Sequence, residues 1–386
     1  MAGTVRIRST KPIERSEGAD RSVVPLLHLL RLSEEVAGRP EAWGIAVYAG
    51  LRSVGDGNAL EASAAADTGY EGVACVDDVA RAAVLALRLC QIEDAPLALK
   101  LAERWLAFVQ YMQLPDGRFC NFLLDWDGSA NVSGPTSFVG GGFWTARALW
   151  ALGLAYEVTG ESPYARAFRR GWSTSEGEST DVTAVRLLAA LSYLRRSRDR
   201  AMERDARALA AQIATTRSGN YLLHHPDTSE IHLWGYDQVT ALVAAARQLG
   251  EPAYLEVAEA TAACVFRRLA SAGPSRRYPS PVRTGICAYD VSPACRGLGA
   301  LYRATRRPKY AAWLWRLIAW FDGANAAGRP LYARPEGRCH DGIDGDALNP
   351  DCGAESAIEA GFVEVERRLL LATPRWPVSR SRRRAA

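Results

Sequence analysis

The sequence predicts an all-α fold, an (α/α)6 barrel, and three observations predict it. Six times, a helical segment rich in Ala and Leu starts just after a cluster of acidic, glycine or aromatic residues: near Asp77 and Asp78, at 141–144, at Asp181, at Asp237, at Asp290, and at Gly353 and Glu355. A second, more amphipathic helix fits each interval, and no strand-rich block interrupts the series. Stacked helix pairs bury a continuous core only when the array closes or is capped. In a closed array of six pairs, all six clusters ring one mouth.

The elements follow in order. Residues 1–20 are polar and predict a flexible segment. Apolar periodicity begins around Val23 to Leu32 and continues over 41–53, predicting the first helix near 23–53. The stretch 54–71, rich in Gly, Ala and Asp, reads as a loop. Residues 76–90 are apolar on nearly every side, Arg81 and Arg88 excepted. A helix hydrophobic all round is buried, so this is the first inner helix. The next, 95–114, sets Lys100, Glu103, Arg104 and Gln110 opposite Leu99, Leu101, Trp105, Leu106 and Val109, an outer helix with one wet face. Further inner helices are predicted at 141–158, 181–196, 236–249, 290–305 and 353–371, and outer ones at 162–172, 199–216, 251–271 and 308–324, about twelve in all. Short hairpins are predicted within 115–126, around the Asp116-Gly117 turn, and within 218–234. The barrel domain is therefore expected to span 21–372, with 373–386 a basic disordered tail.

Composition bounds the function. The 386 residues are 48% hydrophobic and 23% charged, ordinary for a globular protein. The net charge of +4 is concentrated in the last fifteen residues, which hold Arg375, Arg380, Arg382, Arg383 and Arg384 and no acid. The body is near −1, which argues against a nucleic-acid surface. No run approaches the roughly 18 apolar residues of a membrane span, and the N-terminal residues lack the apolar region of a secretory signal. The eight cysteines are scattered, with no C-x-x-C pair. Together these features predict a cytoplasmic protein.

The chemistry concentrates where inner helices begin, because an N-terminus carries unpaired N–H groups and a partial positive charge. The densest stretch, 337–360, holds Asp341, Asp344, Asp346, Asp351 and Glu355 and runs into a buried helix. Glycoside hydrolysis needs two carboxyl groups flanking one bond, about 5–5.5 Å apart for retention and about 6.5–9.5 Å for inversion. In VDDVARA, 76–82, Asp77 reads as a helix N-cap, which frees Asp78 for function. Glu176, Glu178 and Asp181 open another inner helix, and Asp237 and Asp290 share an aromatic-then-Asp pattern. Tyr70, Trp126, Phe143, Trp144, Trp234, Tyr236 and Tyr289 recur beside these acids. Apolar walls with a few placed polar groups suit a small ligand, and sugar rings present apolar C–H faces to aromatic rings.

The ordered set DDVARA (77–82), DGRFCNF (116–122), ARALWALG (146–153) and CHDGIDGDALNPDCGAESAIEA (339–360) resembles a group of bacterial (α/α)6-barrel, glycosidase-like proteins that stand alone or are attached to glycosyltransferases. The resemblance covers roughly 70–371. It implies a carbohydrate-handling barrel and a glycosyltransferase partner, and it carries over Asp77, Asp78, Asn121, Asp341, Asn349, Gly353 and Glu355 as site positions. One departure is that no acid precedes the helix at 141–158, which leaves a binding-only role open.

These readings converge on a carbohydrate-active enzyme, a glycoside hydrolase that needs no cofactor. Its expected catalytic carboxyls are Asp78, Asp341 and Glu355. Asp77, Asn121, Trp144, Asp181, Trp234, Tyr236, Asp237, Tyr289, Asp290 and Asn349 are expected to bind a saccharide substrate. The alternatives are a sugar epimerase or polysaccharide lyase using Tyr221, His224 or His225, with His232 nearby; a zinc-dependent enzyme resembling the lanthionine cyclases, with Cys287, Cys339 and His340 as ligands; and a non-catalytic sugar-binding barrel.

Overall fold

A computed structural model describes residues 21–54, 59–64, 71–174 and 179–372. The segments 1–20 and 373–386, and with them Tyr70, Glu176 and Glu178, lie outside the described residues.

The chain opens with a 3-10 turn, Arg21–Leu26, and a short helix α1, Leu27–Arg31. Five helical pairs follow: α2 (Val76–Ile92) with α3 (Pro96–Tyr111), α4 (Gly142–Thr159) with α5 (Ser162–Trp172), α6 (Thr180–Leu194) with α7 (Arg200–Thr215), and α8 (Gln238–Leu249) with α9 (Pro252–Thr261). Helix α9 runs through a π-helical turn, Ala262–Phe266, into α10 (Arg267–Ala272). The fifth pair is α11 (Ala288–Thr305) with α12 (Pro308–Phe321), and α13 (Ala354–Ala372) ends the series.

Helices α2, α4, α6, α8, α11 and α13 pack each against the next, and α13 packs back on α2, closing an inner ring of six. Helices α3, α5, α7, α9 and α12 lie outside it. The division follows from sequence. Inner α4 is buried from Trp144 to Ala155 without a polar face, whereas outer α5 buries Tyr164, Ala165, Ala167, Phe168 and Gly171 and leaves its arginines in water. Four outer helices (α3, α5, α9, α12) carry proline in the first turn, where its missing N–H costs nothing. The fifth, α7, is capped by Asp199, whose Oδ1 accepts from the amides of Ala201 (3.0 Å) and Met202 (3.1 Å). Helix α13 comes so close to α2 that a Cβ on Gly361 would lie 2.4 Å from Leu85 Cδ2.

Two expectations need correction. The helix predicted near 23–53 ends at Arg31, and Ser33–Val36 pairs antiparallel with Arg39–Ile45. Pro40 and Gly44 disfavour a helix there, and Gly38, at φ 71°, makes the turn. The sixth outer position is therefore filled by the short helical segment 21–31, which packs on α13 and α2. The expected loop 54–71 contains a strand, Ala59–Ala64, paired with Ala49–Val54. The predicted hairpins are present in altered form. Gln113 bridges Phe119 across the Asp116-Gly117 turn, but Phe122–Leu123 pairs with Ala74–Cys75. Arg217–Ser218 turns tightly onto Tyr221–Leu222, and Ile231–His232 pairs with Arg277–Tyr278.

The N-side segment is stitched to the start of α13. His28 Nε2 lies 2.8 Å from the carbonyl of Cys352, the Cys352 amide donates to Ala49 (2.8 Å), and the Ala354 amide donates to Val47 (3.0 Å). Among the described residues, no helix is long and apolar enough to cross a membrane.

Candidate active site

The inner-helix N-termini meet at one mouth. A cavity of about 360 Å³ is lined there by Asp77 from α2, Phe143, Trp144 and Arg147 from α4, Trp234 ahead of α8, Tyr289 and Asp290 from α11, and Glu355 from α13, with Asn121, Thr136, Arg276 and Cys287 completing the wall.

Local structure decides which acids face it. Helix α2 starts two residues earlier than an Asp77 cap requires: Cys75 is the N-cap, its sulfur 3.4 Å from the Asp78 amide. Asn121 takes up further free donors of that helix end, its side-chain oxygen accepting from the Asp77 amide (3.2 Å) and its carbonyl from Val76 (2.8 Å). Asp77 is thereby released toward the cavity and Asp78 turned into the barrel wall, the reverse of the expected division.

Beneath the mouth lies a buried ionic network. Arg81, 2% exposed, reaches Asp78 (2.6 Å), Glu355 (3.0 Å) and Glu359 (2.9 Å). Arg147 donates to both carboxylate oxygens of Asp77 and to the Tyr289 hydroxyl. Arg296 pairs with Asp237 at 3.1 Å and lies 3.6 Å from Glu359. Three guanidinium groups thus face five carboxyls. In a poorly solvated interior such an excess favours protonation of one acid. Burial, helped by Asp78 and Glu359 and opposed by Arg81, pushes Glu355 up to about 7. Its side chain is 45% exposed to the cavity but enclosed by protein on the other sides. Burial also opposes ionisation of Asp77, but Arg147 and Arg81 outweigh it and hold that carboxyl below its usual value. Two carboxyls lining one cavity are therefore driven in opposite directions. Asp290 is raised by burial against the Cys287 amide that donates to it at 3.0 Å.

The other expected positions fall around this centre. Asp78 and Asp237 are buried in the network and raised by burial against Arg81 and Arg296 respectively. Asp341 is absent from the cavity wall; its Oδ1 accepts from the Gly353 amide at 2.8 Å and so secures the start of α13. Asn349 makes a turn, accepting from the Asp351 amide at 2.8 Å. Tyr236 is a core residue, 1% exposed, whose hydroxyl donates to the Leu222 carbonyl. Trp144 lines the wall and donates to the Phe119 carbonyl at 3.2 Å. Tyr289 stacks beneath the guanidinium groups of Arg81 (4.8 Å) and Arg147 (5.4 Å).

Asp181 stands apart, beside His224 and His232. Burial lowers His224 to about 4 and also lowers His232, each against the pull of Asp181, so both imidazoles are neutral at pH 7. Among the described residues, Asp181, His224 and His232 are the one group of three or more His, Cys, Asp or Glu whose ligand atoms all lie within 4.8 Å of one another. Cys287, Cys339 and His340 do not come together in this way: the Cys287 thiol faces Asp290 (3.2 Å), the Cys339 thiol the His340 carbonyl (3.2 Å), and the His340 ring the Asn349 carbonyl (2.7 Å).

Sequence reasoning missed the arginines. Arg147 and Arg296 interrupt otherwise apolar inner helices, and a cation in such a run is itself a sign of buried acids nearby.

No protein-family model matches the sequence, and no curated protein matches it. Solved structures do. A sugar epimerase from a ruminal bacterium superposes with a TM-score of 0.63 at 12% identity, over 89% of this chain and 96% of that one. A family 76 glycoside hydrolase from a bovine Bacteroides thetaiotaomicron strain gives 0.59 at 13% identity, over 92% and 78%. An α-1,6-mannanase of Salegentibacter, an inactive variant with two consecutive aspartates changed to asparagine and α-1,6-mannotriose bound, gives 0.59 at 10% identity, over 91% and 98%. At these identities the likeness establishes architecture: the chain has the (α/α)6-barrel fold.

Proposed function

We propose that the chain is a carbohydrate-active enzyme that hydrolyses a glycosidic bond, with Glu355 as general acid and Asp77 as the carboxylate that works with it. The observation that carries this reading is the opposed ionisation of two carboxyls on one cavity wall. Glu355 is pushed up to about 7 and holds a proton near neutral pH, while Asp77 stays ionised beside Arg147. Environments that push two acids apart in this way assign the proton donor and its anionic partner. Trp144, Trp234, Phe143 and Tyr289 supply apolar walls for sugar faces, and Asp290 and Asn121 offer polar groups for hydroxyls. Asp78 and Asp341 act here as positioning residues, the first through Arg81 and the second through the start of α13. Asp181, Asp237, Tyr236 and Asn349 lie outside this wall. The consecutive aspartates changed in the inactive mannanase have a counterpart in kind in the pair Asp77 and Asp78. A cytoplasmic setting and a glycosyltransferase partner belong to the same proposal, resting on the eight free cysteines and on the motif resemblance.

The test is turnover on a panel of α- and β-linked oligosaccharides by wild type, Glu355→Gln and Asp77→Asn, with both released sugar and epimerised product measured. Hydrolysis abolished in both variants supports the reading. Full hydrolysis in both, or epimerisation without hydrolysis, overturns it.

A further inference from the structure

Beside the cavity of Glu355 lies a second one, of about 430 Å³, lined by Glu230, Ile231, His232, Trp234, Arg276 and Arg277 among others. Trp234 and Arg276 border both cavities. His232 lines the second cavity and stacks on Trp234 (ring centroids 4.0 Å apart), with Asp181 and His224 beside it, and each of the three is set as a metal ligand would be.

Asp181 opens α6. Its Oδ1 accepts from the Val182 amide at 3.0 Å, and its Oδ2 points at Nε2 of His224 (3.8 Å) and Nε2 of His232 (3.6 Å). His232 is held by the strand pairing of Ile231–His232 with Arg277–Tyr278, and its Nδ1 lies 3.0 Å from the Trp234 carbonyl. A carbonyl only accepts, so the Nδ1 proton is committed there and Nε2 presents its lone pair toward Asp181. Orientation of a ligating imidazole through its other nitrogen is the usual support of a metal site. His224 is 7% exposed, and neither of its ring nitrogens has a hydrogen-bond partner. A buried imidazole with both nitrogens unmet is costly. Its neighbours do not relieve that cost, whereas a cation bound at Nε2 would.

We propose that Asp181, His224 and His232 form a binding site for a first-row divalent cation, zinc foremost. Two imidazoles and one carboxylate suit such an ion. An ion about 2.0–2.1 Å from each ligand atom sets those atoms roughly 3.4 Å apart in tetrahedral geometry, a few tenths of an ångström closer than Asp181 Oδ2 stands to either imidazole. Three protein ligands leave a fourth position for water or a ligand oxygen. The site is independent of the carboxyl pair proposed for hydrolysis.

The experiment uses the full chain, stripped with chelator, incubated with zinc or cobalt(II) and desalted. Wild type and His225→Ala, which alters an exposed neighbour, should retain stoichiometric metal. His224→Ala and Asp181→Asn should bind about a hundredfold more weakly. The cobalt form of wild type should show visible d–d absorption without the near-ultraviolet thiolate-to-cobalt band, a reading that needs no variant to fold. No retained metal in wild type, retention unchanged in both ligand variants, or a thiolate band pointing to the cysteines would each overturn the proposal.

Discussion

Nη2 of Arg81 lies 3.0 Å from Oε2 of Glu355, joining the first inner helix to the last at the seam where the ring closes. The same nitrogen also holds Asp78 at 2.6 Å, so Glu355 receives only a share of one buried cation. That divided allegiance explains how an acid beside an arginine can still sit near neutrality.

Replacing Glu355 by Gln should lower kcat by about a hundredfold to ten-thousandfold, the usual contribution of a positioned proton donor. Affinity for a slowly turned-over oligosaccharide should change little, because the aromatic walls are untouched. Steady-state kinetics and calorimetric binding on one substrate separate the two effects.

The pH profile follows from the two shifts. Activity should fall on the alkaline side with a midpoint of about 7, as Glu355 loses its proton, and on the acid side below the ordinary aspartate value of 3.8, as Asp77 gains one. Stability should track the same groups. Glu355 is raised in the folded state from 4.5 to about 7, so its contribution is fully present below 4.5 and lost as pH rises through 7. Melting temperatures of wild type should therefore decline relative to Glu355→Gln between those values. Parallel curves for the two proteins would contradict the shift.

Arg81→Met should cost about 3–5 kcal/mol in urea unfolding, because it leaves Asp78 buried without its ion-pair partner and Glu359 with only Arg296, 3.6 Å away. A double variant, Arg81→Met with Glu359→Gln, should recover part of the loss.

Trp234→Ala should raise KM about tenfold, equivalent to about 1.4 kcal/mol, with a smaller change in kcat. The indole borders both cavities and packs against the rings of Phe143, His232 and Tyr289.

The inner ring was legible because a helix apolar on every side leaves an unmistakable run, as at 76–90 and 144–155. The sixth outer helix was not, because 23–53 has the apolar content of a helix while Gly38, Pro40 and Gly44 divert it into strands. At the site, Glu355 could be read as an acid opening a buried helix. The choice between Asp77 and Asp78 turned on a single residue: Cys75, not Asp77, caps α2, and that displacement exchanges which carboxyl faces the cavity. The grouping of Asp181 with His224 and His232 was invisible, since it depends on the path of the chain after α7 and not on any local spacing.

The stitching of Val47, Ala49 and His28 to residues 352–354 has a consequence for how the protein is made. A ribosome delivers the chain from its amino end, so α2 emerges long before the helix that covers its flank. Until 354–372 follows, the apolar side of α2 beneath Gly361 and the matching side of α11 face water. The nascent barrel is an open crescent, and its vulnerable interval ends only when the last helix slots into the gap.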